Sequence, residues 1–424
     1  MPDIARGAMS RTADAPLREV ARLDDPGFYA NDPYAVFARL RRESPVHWHD
    51  DGQFWALSRY GDVRHVFRHP ALFSSQSGVF ITDRKFTRTN PFEFGGGGPI
   101  LPPDGANILE TDPPWHTEYR KAVVRTQTFS RGWTEALMGT LRAIVGDVFD
   151  RAPAGAVVNF DNISLEIATR VAVEFLGLPR DDLDHFMHWT TTFINATDST
   201  RPEDLERGAA VTRAMWDYMS EALASPAERD GSGAFEALAE AARRAAAIDR
   251  HSLLKFALDL MIAGTVNNRS SMSGGVIALS DRPDQRELLV HKPDLLPNAV
   301  EEIIRWVTPA PHICRTAVRT VDIEGTTIRE GDYLVLLLAS ANRDEAMWAD
   351  PESFSVGRST RPPHMSFGHG IHACLGAPLA RAEIHVFVEE LLRRFPDFAV
   401  TGPVVKRPST MVNSFVDVPV RLAP

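Results

Sequence analysis

One cysteine of the chain lies in a glycine-rich loop that leads into a helical pattern. The loop reads Phe367-Gly-His-Gly-Ile-His-Ala-Cys-Leu-Gly376, and Pro378 suits the first turn of the helix that follows. Glycines permit sharp turns and the close approach of a flat partner. Backbone N–H groups at a helix N-terminus favour a thiolate, which is a soft ligand for iron. The sequence therefore makes Cys374 the candidate metal ligand.

The spacing within this loop is more specific than the cysteine alone. A lone cysteine is usually an ordinary buried thiol, but such a site needs neither three glycines nor a histidine at fixed offsets. The complete Phe-Gly-x-Gly-x-His-x-Cys-x-Gly pattern resembles the haem-binding signature of the cytochrome P450 family, the haem-thiolate monooxygenases. The resemblance implies haem b as the cofactor, Cys374 as its iron ligand, and Phe367, Gly368 and His372 as further haem-binding residues.

A second resemblance lies in an acid and a base three residues apart. Glu302 and Arg305 fall on one face of a helix in Glu302-Ile-Ile-Arg305. Such pairs are common on solvated helix surfaces, where they contribute little. Here the pair resembles the Glu-x-x-Arg helix of the P450 family, and Arg358 resembles the third member of its charged cluster. The resemblance implies that these three residues assemble the haem pocket and take no part in the chemistry.

Three basic residues elsewhere resemble the groups that bind the haem propionates. His116 and Arg120 are four residues apart, on one face of a helix whose start is marked by Asp112 and two prolines. Arg315 follows a proline-punctuated segment and resembles the arginine that reaches the same propionates from a strand. Taken singly, each is most simply a surface charge, but cations match a dianionic cofactor. The resemblance implies that all three bind the cofactor.

The long helical pattern around residue 265 departs from the family. It reads Ala263-Gly-Thr-Val-Asn-Asn268, where the family pattern has an acid and a threonine that relay protons to dioxygen at the haem. Val266 stands at the position of the acid and Asn267 at that of the threonine. Valine cannot donate a proton, whereas an amide both donates and accepts hydrogen bonds. The candidate catalytic residues are Gly264, Thr265, Val266, Asn267 and Asn268.

This departure leaves several functions open. Asn267, with Asn268 or Thr265, holds a water chain that supports ordinary monooxygenation, or a polar group of the substrate completes the relay, or the enzyme performs a non-standard or peroxide-driven oxidation. A structural alternative is that Asn267 only satisfies backbone groups at a helix kink. A haem-containing protein that binds or senses a small molecule would share these motifs. The favoured function is a monooxygenase that hydroxylates, epoxidises or dealkylates a small or medium apolar organic compound.

Composition sets further bounds on the protein. The 424 residues carry a net charge of -10, which gives no reason to expect a nucleic-acid partner. The two cysteines, Cys314 and Cys374, indicate no disulfide framework and fit a reducing cytoplasm. Neither a signal peptide nor a membrane-spanning run is visible. We therefore expect a cytoplasmic monomer that binds no membrane. The resemblance implies an organic substrate, O2, and an electron-transfer partner such as a ferredoxin with its reductase.

The expected fold class is mainly α with small β-sheets. The resemblance runs from about Asp32 to Leu422 and implies the cytochrome P450 fold, one triangular α+β domain over residues 1–424 with a flexible N-terminal segment at 1–25. Period-two patterns predict a hairpin from 46–49 and 54–58. Helical periodicity predicts the segments 134–149, 165–175, 211–223, 233–247, 253–278 and 379–394, and short strands are expected around 323–333 and 416–422.

The resemblance also places the substrate pocket. It implies a lining drawn from residues 186–197, 260–268, 307–313 and 411–415, which are rich in apolar side chains. The irregular, glycine-containing stretch 77–109 would cover the substrate as a mobile lid.

Overall fold

Helices dominate the structure, a computed structural model that describes residues 15–86, 108–153, 155–224, 233–244 and 248–423. The α-helices of these residues are α1 Leu17–Val20, α2 Pro26–Ala30, α3 Tyr34–Glu43, α4 Tyr60–Arg68, α5 Ile81–Phe86, α6 Trp115–Arg125, α7 Arg131–Arg151, α8 Phe160–Leu176, α9 Leu183–Thr197, α10 Pro202–Ala224, α11 Ala234–Arg244, α12 Arg250–Ser280, α13 Pro283–His291, α14 Leu296–Val307, α15 Leu338–Ala341 and α16 Ala377–Arg394. None of these helices is long and apolar enough to cross a membrane.

The strands form small sheets. They are β1 Val46–His49, β2 Phe54–Leu57, β3 Phe73–Ser74, β4 Val157–Asn159, β5 Ile313–Ala317, β6 Val321–Ile323, β7 Thr326–Ile328, β8 Tyr333–Leu336, β9 Ala399–Val400, β10 Val405–Lys406, β11 Phe415–Asp417 and β12 Pro419–Arg421. The largest sheet has the order β1-β2-β8-β5-β3, with only β2 and β8 parallel. The smaller sheets are β4-β12-β9, β10-β11 and β6-β7. This architecture confirms the predicted fold class.

Capping residues set the start of the helices around the site. Asp249 accepts a hydrogen bond from the backbone N–H of Ser252 (2.7 Å) at the start of α12. Ser130 does the same for Trp133 (3.1 Å) at the start of α7. Pro378 lies in the first turn of α16, where its missing N–H costs no helical hydrogen bond. The sequence therefore determines locally where these helices begin.

Helix α12 runs through the main hydrophobic core. Met272 of α12 is fully buried in the same cluster as Phe387 of α16. At Gly274 a side chain has no room, because a Cβ would lie 2.5 Å from Cγ2 of Val307 in α14. The close approach fixes the helix that carries the relay candidates against the helix that carries Glu302.

Most predicted elements are present. Five of the six segments with helical periodicity lie inside longer helices, and the sixth is helical over Ala234–Arg244, with 245–247 outside the described residues. The predicted hairpin forms, with Val46 opposite Leu57. The strands around 323–333 belong to two different sheets. Strands β6 and β7 pair only with each other, whereas β8 pairs with β5 in the large sheet.

Part of the N-terminal segment that the sequence analysis expects to be flexible packs against the rest of the protein. Leu23, within the segment 1–25 expected to be flexible, is fully buried and accepts a hydrogen bond at its carbonyl from the Tyr29 hydroxyl (2.9 Å). Residues 1–14 lie outside the described residues. The apolar residues of this stretch are too few to give a periodic signal, yet tertiary contacts bury Ala21 and Leu23.

A buried carboxylate ties α14 to the segment that leads towards the cysteine loop. Glu302 is 2% exposed and accepts two hydrogen bonds from Arg305 (2.7 and 2.9 Å) and one from Nε of Arg358 (3.1 Å). Arg305 and Arg358 each donate as well to the carbonyl of Ser353 (3.2 and 2.7 Å). The structure thus brings together the three residues of the predicted charged cluster, with Glu302 and Arg305 buried and Arg358 partly exposed.

Replacing this carboxylate should strongly destabilise the fold. Glu302→Ala leaves the Arg305 guanidinium buried without its anion, so the free energy of unfolding should fall by about 3–5 kcal/mol. Urea denaturation measures the loss. The matched control is Glu135→Ala, which breaks the exposed pair with Arg131 and should cost less than about 1 kcal/mol. Equal effects of the two substitutions would show that the buried cluster contributes no more than a surface pair.

Candidate active site

The cysteine loop folds as a tight turn ahead of α16. A short 3-10 turn, Gly370–His372, precedes Cys374, whose backbone N–H donates to the carbonyl of Phe367 (2.8 Å). Gly370 has φ +72°, and a Cβ there would lie 2.3 Å from the carbonyl oxygen of Phe67. Only glycine therefore lets the loop pack against α4, and this packing fixes the position of the cysteine.

Cys374 presents its thiol to a cavity of about 330 Å³. The side chain is exposed to this cavity but is otherwise enclosed by protein. Burial raises the pKa of the thiol and outweighs the opposing influences of the backbone N–H groups of Gly376 and Ala377 and of Arg120. The helix N-terminus acts in the predicted direction, but the protein alone does not favour the thiolate. A metal cation at the sulfur would reverse that balance.

Four basic side chains share the cavity wall beside the loop. The rings of His116 and His372 have centroids 4.2 Å apart. Arg120 Nη2 donates to the carbonyl of Ala373 (2.6 Å), and Arg315 is 4% exposed. All four side chains line the cavity, and no carboxylate of the described residues forms an ion pair with either arginine. The structure thus brings together the cofactor-binding residues that the sequence predicts.

The electrostatics of this basic wall favour an anionic ligand. Burial and neighbouring cations lower the pKa of His372 to about 2, and burial with Arg120 lowers that of His116 to about 4. Burial lowers the pKa of Arg315 to about 10. In the described part of the chain His116 Nε2 is buried without a hydrogen-bond partner. A dianion in the cavity would offset the repulsion among these groups.

Another wall of the cavity is one face of α12. Gly264, Asn267, Asn268 and Ser271 line it, at the i, i+3, i+4, i+7 spacing of residues that share a helix face. The Ser271 hydroxyl donates to the backbone carbonyl of Asn267 (2.9 Å). The Asn267 amide forms no hydrogen bond with any described residue, and α12 is helical throughout. The structure therefore gives no support to a role for Asn267 in satisfying the backbone at a kink.

Thr265 and Val266 lie outside the lining of this cavity. The Thr265 hydroxyl is fully buried, 4.0 Å from Sδ of Met261. Val266 packs in an apolar cluster with Ile194 and Val412. Two of the five candidate catalytic residues are therefore separated from the cavity, because they lie off the helix face that borders it.

A buried carboxyl group that the sequence analysis missed also lines the cavity. Glu383 of α16 is 1% exposed, and its Oε2 accepts a hydrogen bond from Asn268 Nδ2 (2.5 Å). Burial raises the pKa of Glu383 to about 8, against the lowering influence of Asn268. A signal was present in the sequence: Leu379, Phe387 and Leu391 form an apolar repeat in which Glu383 takes the place of a hydrophobic residue.

Aromatic and aliphatic side chains complete the lining. They include Phe129, Phe175, Phe256, Leu260 and Ile313. Of the predicted lining segments, 260–268 and 307–313 contribute, whereas 186–197 and 411–415 do not. Phe186 is instead fully buried, with its ring edge-on to those of Trp189 and Tyr218. Of the predicted lid, residues at both ends border the cavity, and 87–107 lie outside the described residues.

Comparison with known proteins agrees with this geometry. Residues 289–416 match the family model described as cytochrome P450. The chain is 31% identical to the cytochrome P450 monooxygenase PikC of Streptomyces venezuelae, over 98% of this chain and 97% of that protein. The chain belongs to the cytochrome P450 family. This P450 is also 30% identical to linalool 8-monooxygenase of Pseudomonas putida, over 95% of this chain and 98% of that protein.

A solved structure supports the same assignment. The tirandamycin C-bound P450 monooxygenase TamI matches with a TM-score of 0.81 and 30% identity, over 94% of this chain and 99% of that chain. Since the relatives are named monooxygenases, this P450 is a monooxygenase. The resemblance in the cysteine loop was therefore a correct guide to the family.

Membership of the family implies a haem, and the cavity residues fit one. Cys374 offers a soft sulfur donor, and the basic wall offers cations to two propionates. Gly368, with φ +65°, and Phe367 both border the cavity next to the cysteine. The Arg381 guanidinium lies 4.4 Å from the centroid of the Phe367 ring, and Glu301 binds Arg381 (2.5 and 3.0 Å). The aromatic side chain beside the sulfur is therefore held in place.

The cysteine ligand has a spectroscopic test. The reduced wild type with carbon monoxide should show the red-shifted Soret band of thiolate ligation, and Cys374→Ala should lose it because no other thiol faces the cavity in the described residues. Cys314→Ala is the control, since that thiol is fully buried in an apolar cluster and the band should persist. Wild type that takes up no haem, or a band that survives Cys374→Ala, would refute the assignment.

Proposed function

We propose that this P450 uses haem b and O2 to insert one oxygen atom into a small or medium apolar organic substrate, by hydroxylation, epoxidation or dealkylation. The observation that supports this most directly is the meeting of the Cys374 thiol, the basic wall and one face of α12 at a single apolar cavity. When bound, the haem supplies the activation of O2. Electrons would come from a separate partner such as a ferredoxin with its reductase.

The residues of the cysteine side hold the cofactor in this proposal. Cys374 ligates the iron, while His116, Arg120, Arg315 and His372 bind the propionates through charge and hydrogen bonds. His372 Nε2 also lies 3.1 Å from the Ser75 hydroxyl, which would orient the ring.

The lining argues for the substrate class. Its aromatic and aliphatic side chains would exclude water from a bound substrate, and its few polar groups would orient it. On the α12 side of the cavity, a substrate would meet the carboxyl group of Asp259 and the side-chain amides of Asn267 and Asn268. Linalool 8-monooxygenase is named for an organic substrate, in agreement with this class.

Proton delivery would depend on the face of α12 that borders the cavity. Valine at 266 packs away from the cavity, so the polar group available at the expected relay position is the Asn267 amide. An amide can donate to one water and accept from another, and thereby order a water chain. A polar group of the substrate, or peroxide in place of O2 and reductant, would bypass this residue.

Oxygen incorporation tests the proposed function. Compounds that displace water from the ferric haem, found by the shift of its Soret band, should be oxidised with steady consumption of reductant when a ferredoxin and its reductase are supplied. Under 18O2 the product should carry one labelled oxygen atom. Product formed only with peroxide, or binding without any turnover, would contradict the proposal.

Asn267→Thr tests the relay. A threonine hydroxyl would restore the side chain that the family pattern has, so product per electron should rise and peroxide release should fall. The change should be about two- to tenfold, less than the roughly 10²–10⁴-fold of a positioned proton-transfer group, because the Asn267 amide already orders water in this proposal. Thr265→Val is the matched control, because that hydroxyl is buried outside the cavity lining. Unchanged coupling in Asn267→Thr would remove Asn267 from the relay.

A further inference from the structure

The cavity combines a carboxyl group with a cluster of aromatic rings. Asp259 of α12 is partly buried and lines the cavity together with Phe129, Phe175 and Phe256, which we call the acidic aromatic subsite. The ring centroid of Phe129 lies 5.5 Å from that of Phe175 and 6.2 Å from that of Phe256. Burial and, after it, the charge of Asp259 raise the pKa of Tyr119, whose ring lies edge-on to Phe256. The carboxyl group is therefore within electrostatic reach of these rings.

We propose that the acidic aromatic subsite selects substrates that carry a basic nitrogen, held as an ammonium group against Asp259. The inference rests on the proposed function and narrows it, because the substrate becomes an apolar molecule with one cationic end. An ammonium group is drawn to a carboxylate by charge and to the faces of aromatic rings by their quadrupole. Both attractions are stronger in an enclosed apolar cavity than in water.

The other charged groups of the cavity favour the same position for a cation. Arg120 and Arg315 of the basic wall offer no attraction to an ammonium group. Glu383 is the other carboxyl group among the described lining residues, but burial raises its pKa to about 8, and it accepts its hydrogen bond from the neutral amide of Asn268. It is therefore mostly uncharged at pH 7, so Asp259 is the better partner for a cation.

A separate ion pair holds the wall beside the subsite. Lys255 lies one turn before Asp259 on α12 and pairs with Glu110 (3.3 Å), with both side chains of the pair largely buried. Glu110 ends the short turn that includes Ile108 and Leu109, which border the cavity. This pair thus ties the apolar surroundings of the subsite to α12 through a contact in which the Asp259 carboxyl group takes no part.

The helix sets the distance between the subsite and the proposed relay. Asp259, Ala263 and Asn267 line the cavity at i, i+4 and i+8. At about 1.5 Å of rise per residue, Asp259 and Asn267 are separated by roughly 12 Å along the helix axis. An ammonium group bound at Asp259 therefore lies well away from the Asn267 amide. The oxygen atom should enter an apolar part of the substrate remote from the nitrogen, and N-dealkylation should be minor.

Binding to the haem-loaded protein tests the subsite without turnover. N,N-dimethyloctylamine is protonated at pH 7, and 2-methyldecan-2-ol has nearly the same shape without the charge. By calorimetry, wild type should bind the amine at least about tenfold more tightly than the alcohol. Asp259→Asn should weaken binding of the amine about 10- to 100-fold and that of the alcohol less than about threefold, since it removes only the charge.

Asp284→Asn is the matched control, because it makes the same change of charge at an exposed position of α13 outside the described lining. It should leave both affinities at their wild-type values. Equal affinities of wild type for the two compounds would overturn the proposal, as would an equal loss of both in Asp259→Asn that retains its haem. A red-shifted ferric Soret band with the amine would also overturn it, since the nitrogen would then bind the iron and not Asp259.

Phe129→Leu tests the aromatic contribution. Loss of one ring should lower the preference for the amine over the alcohol about two- to fivefold, the size expected of a single cation–π contact. A preference that stays at the wild-type value would overturn the part that the rings have in this proposal.

Turnover separates this inference from the proposed function. With a ferredoxin and its reductase under 18O2, wild type should place the labelled oxygen on the octyl chain of the amine away from the nitrogen, and Asp259→Asn should spread it along the chain. If neutral compounds are oxygenated but the amine is neither preferred nor oxidised at a fixed position, the monooxygenase function stands and the role of Asp259 fails. If the amine binds through Asp259 but no bound compound is oxygenated, the proposed function fails, and substrate selection fails with it.

Discussion

The buried carboxylate of Glu302 holds the framework on which the cavity is built. It accepts hydrogen bonds from Arg305, Arg358 and the backbone N–H of Ser355, and so ties α14 to the segment around 349–358. The start of the cysteine loop is tied to the same helix, because the Ser366 hydroxyl donates to the carbonyl of Ile304 (2.9 Å). Since α14 also packs closely on α12, the sulfur and the face of α12 that borders the cavity are both positioned from one helix.

Burial has opposite consequences at the two polar walls of the cavity. On the cysteine side it disfavours the protonated forms of His372 and Arg315 and so lowers their pKa values, and a dianionic cofactor would stabilise those protonated forms. At α16 it disfavours ionisation of Glu383 and so preserves a neutral acid. Desolvation therefore favours an anionic ligand beside His372 and Arg315, and it favours the protonated form of Glu383.

Local chemistry explains which features could be predicted from the sequence. The cysteine loop depends on glycines at fixed offsets, and the charged cluster depends on residues three apart on one helix, so both were recognisable. The face of α12 that borders the cavity was not. This helix is buried on most sides, so it has no distinct apolar stripe from which to read an orientation. Phe186 shows the same limit, since only the packing of α9 and α10 decides that it joins the core and not the pocket.

Val266 of α12 and Glu383 of α16 lie in surroundings of different polarity. Val266 points into an apolar cluster with Ile194 and Val412, where an ionised carboxylate would have no partner and would lose its hydration. An acid could act at the cavity only from the neighbouring face of α12 or from another helix. Glu383 borders the cavity from α16, and the amide of Asn268 satisfies one of its oxygens without supplying a positive charge. A cationic partner at 268 would stabilise the carboxylate and lower the pKa of Glu383, whereas the neutral amide leaves that pKa raised by burial.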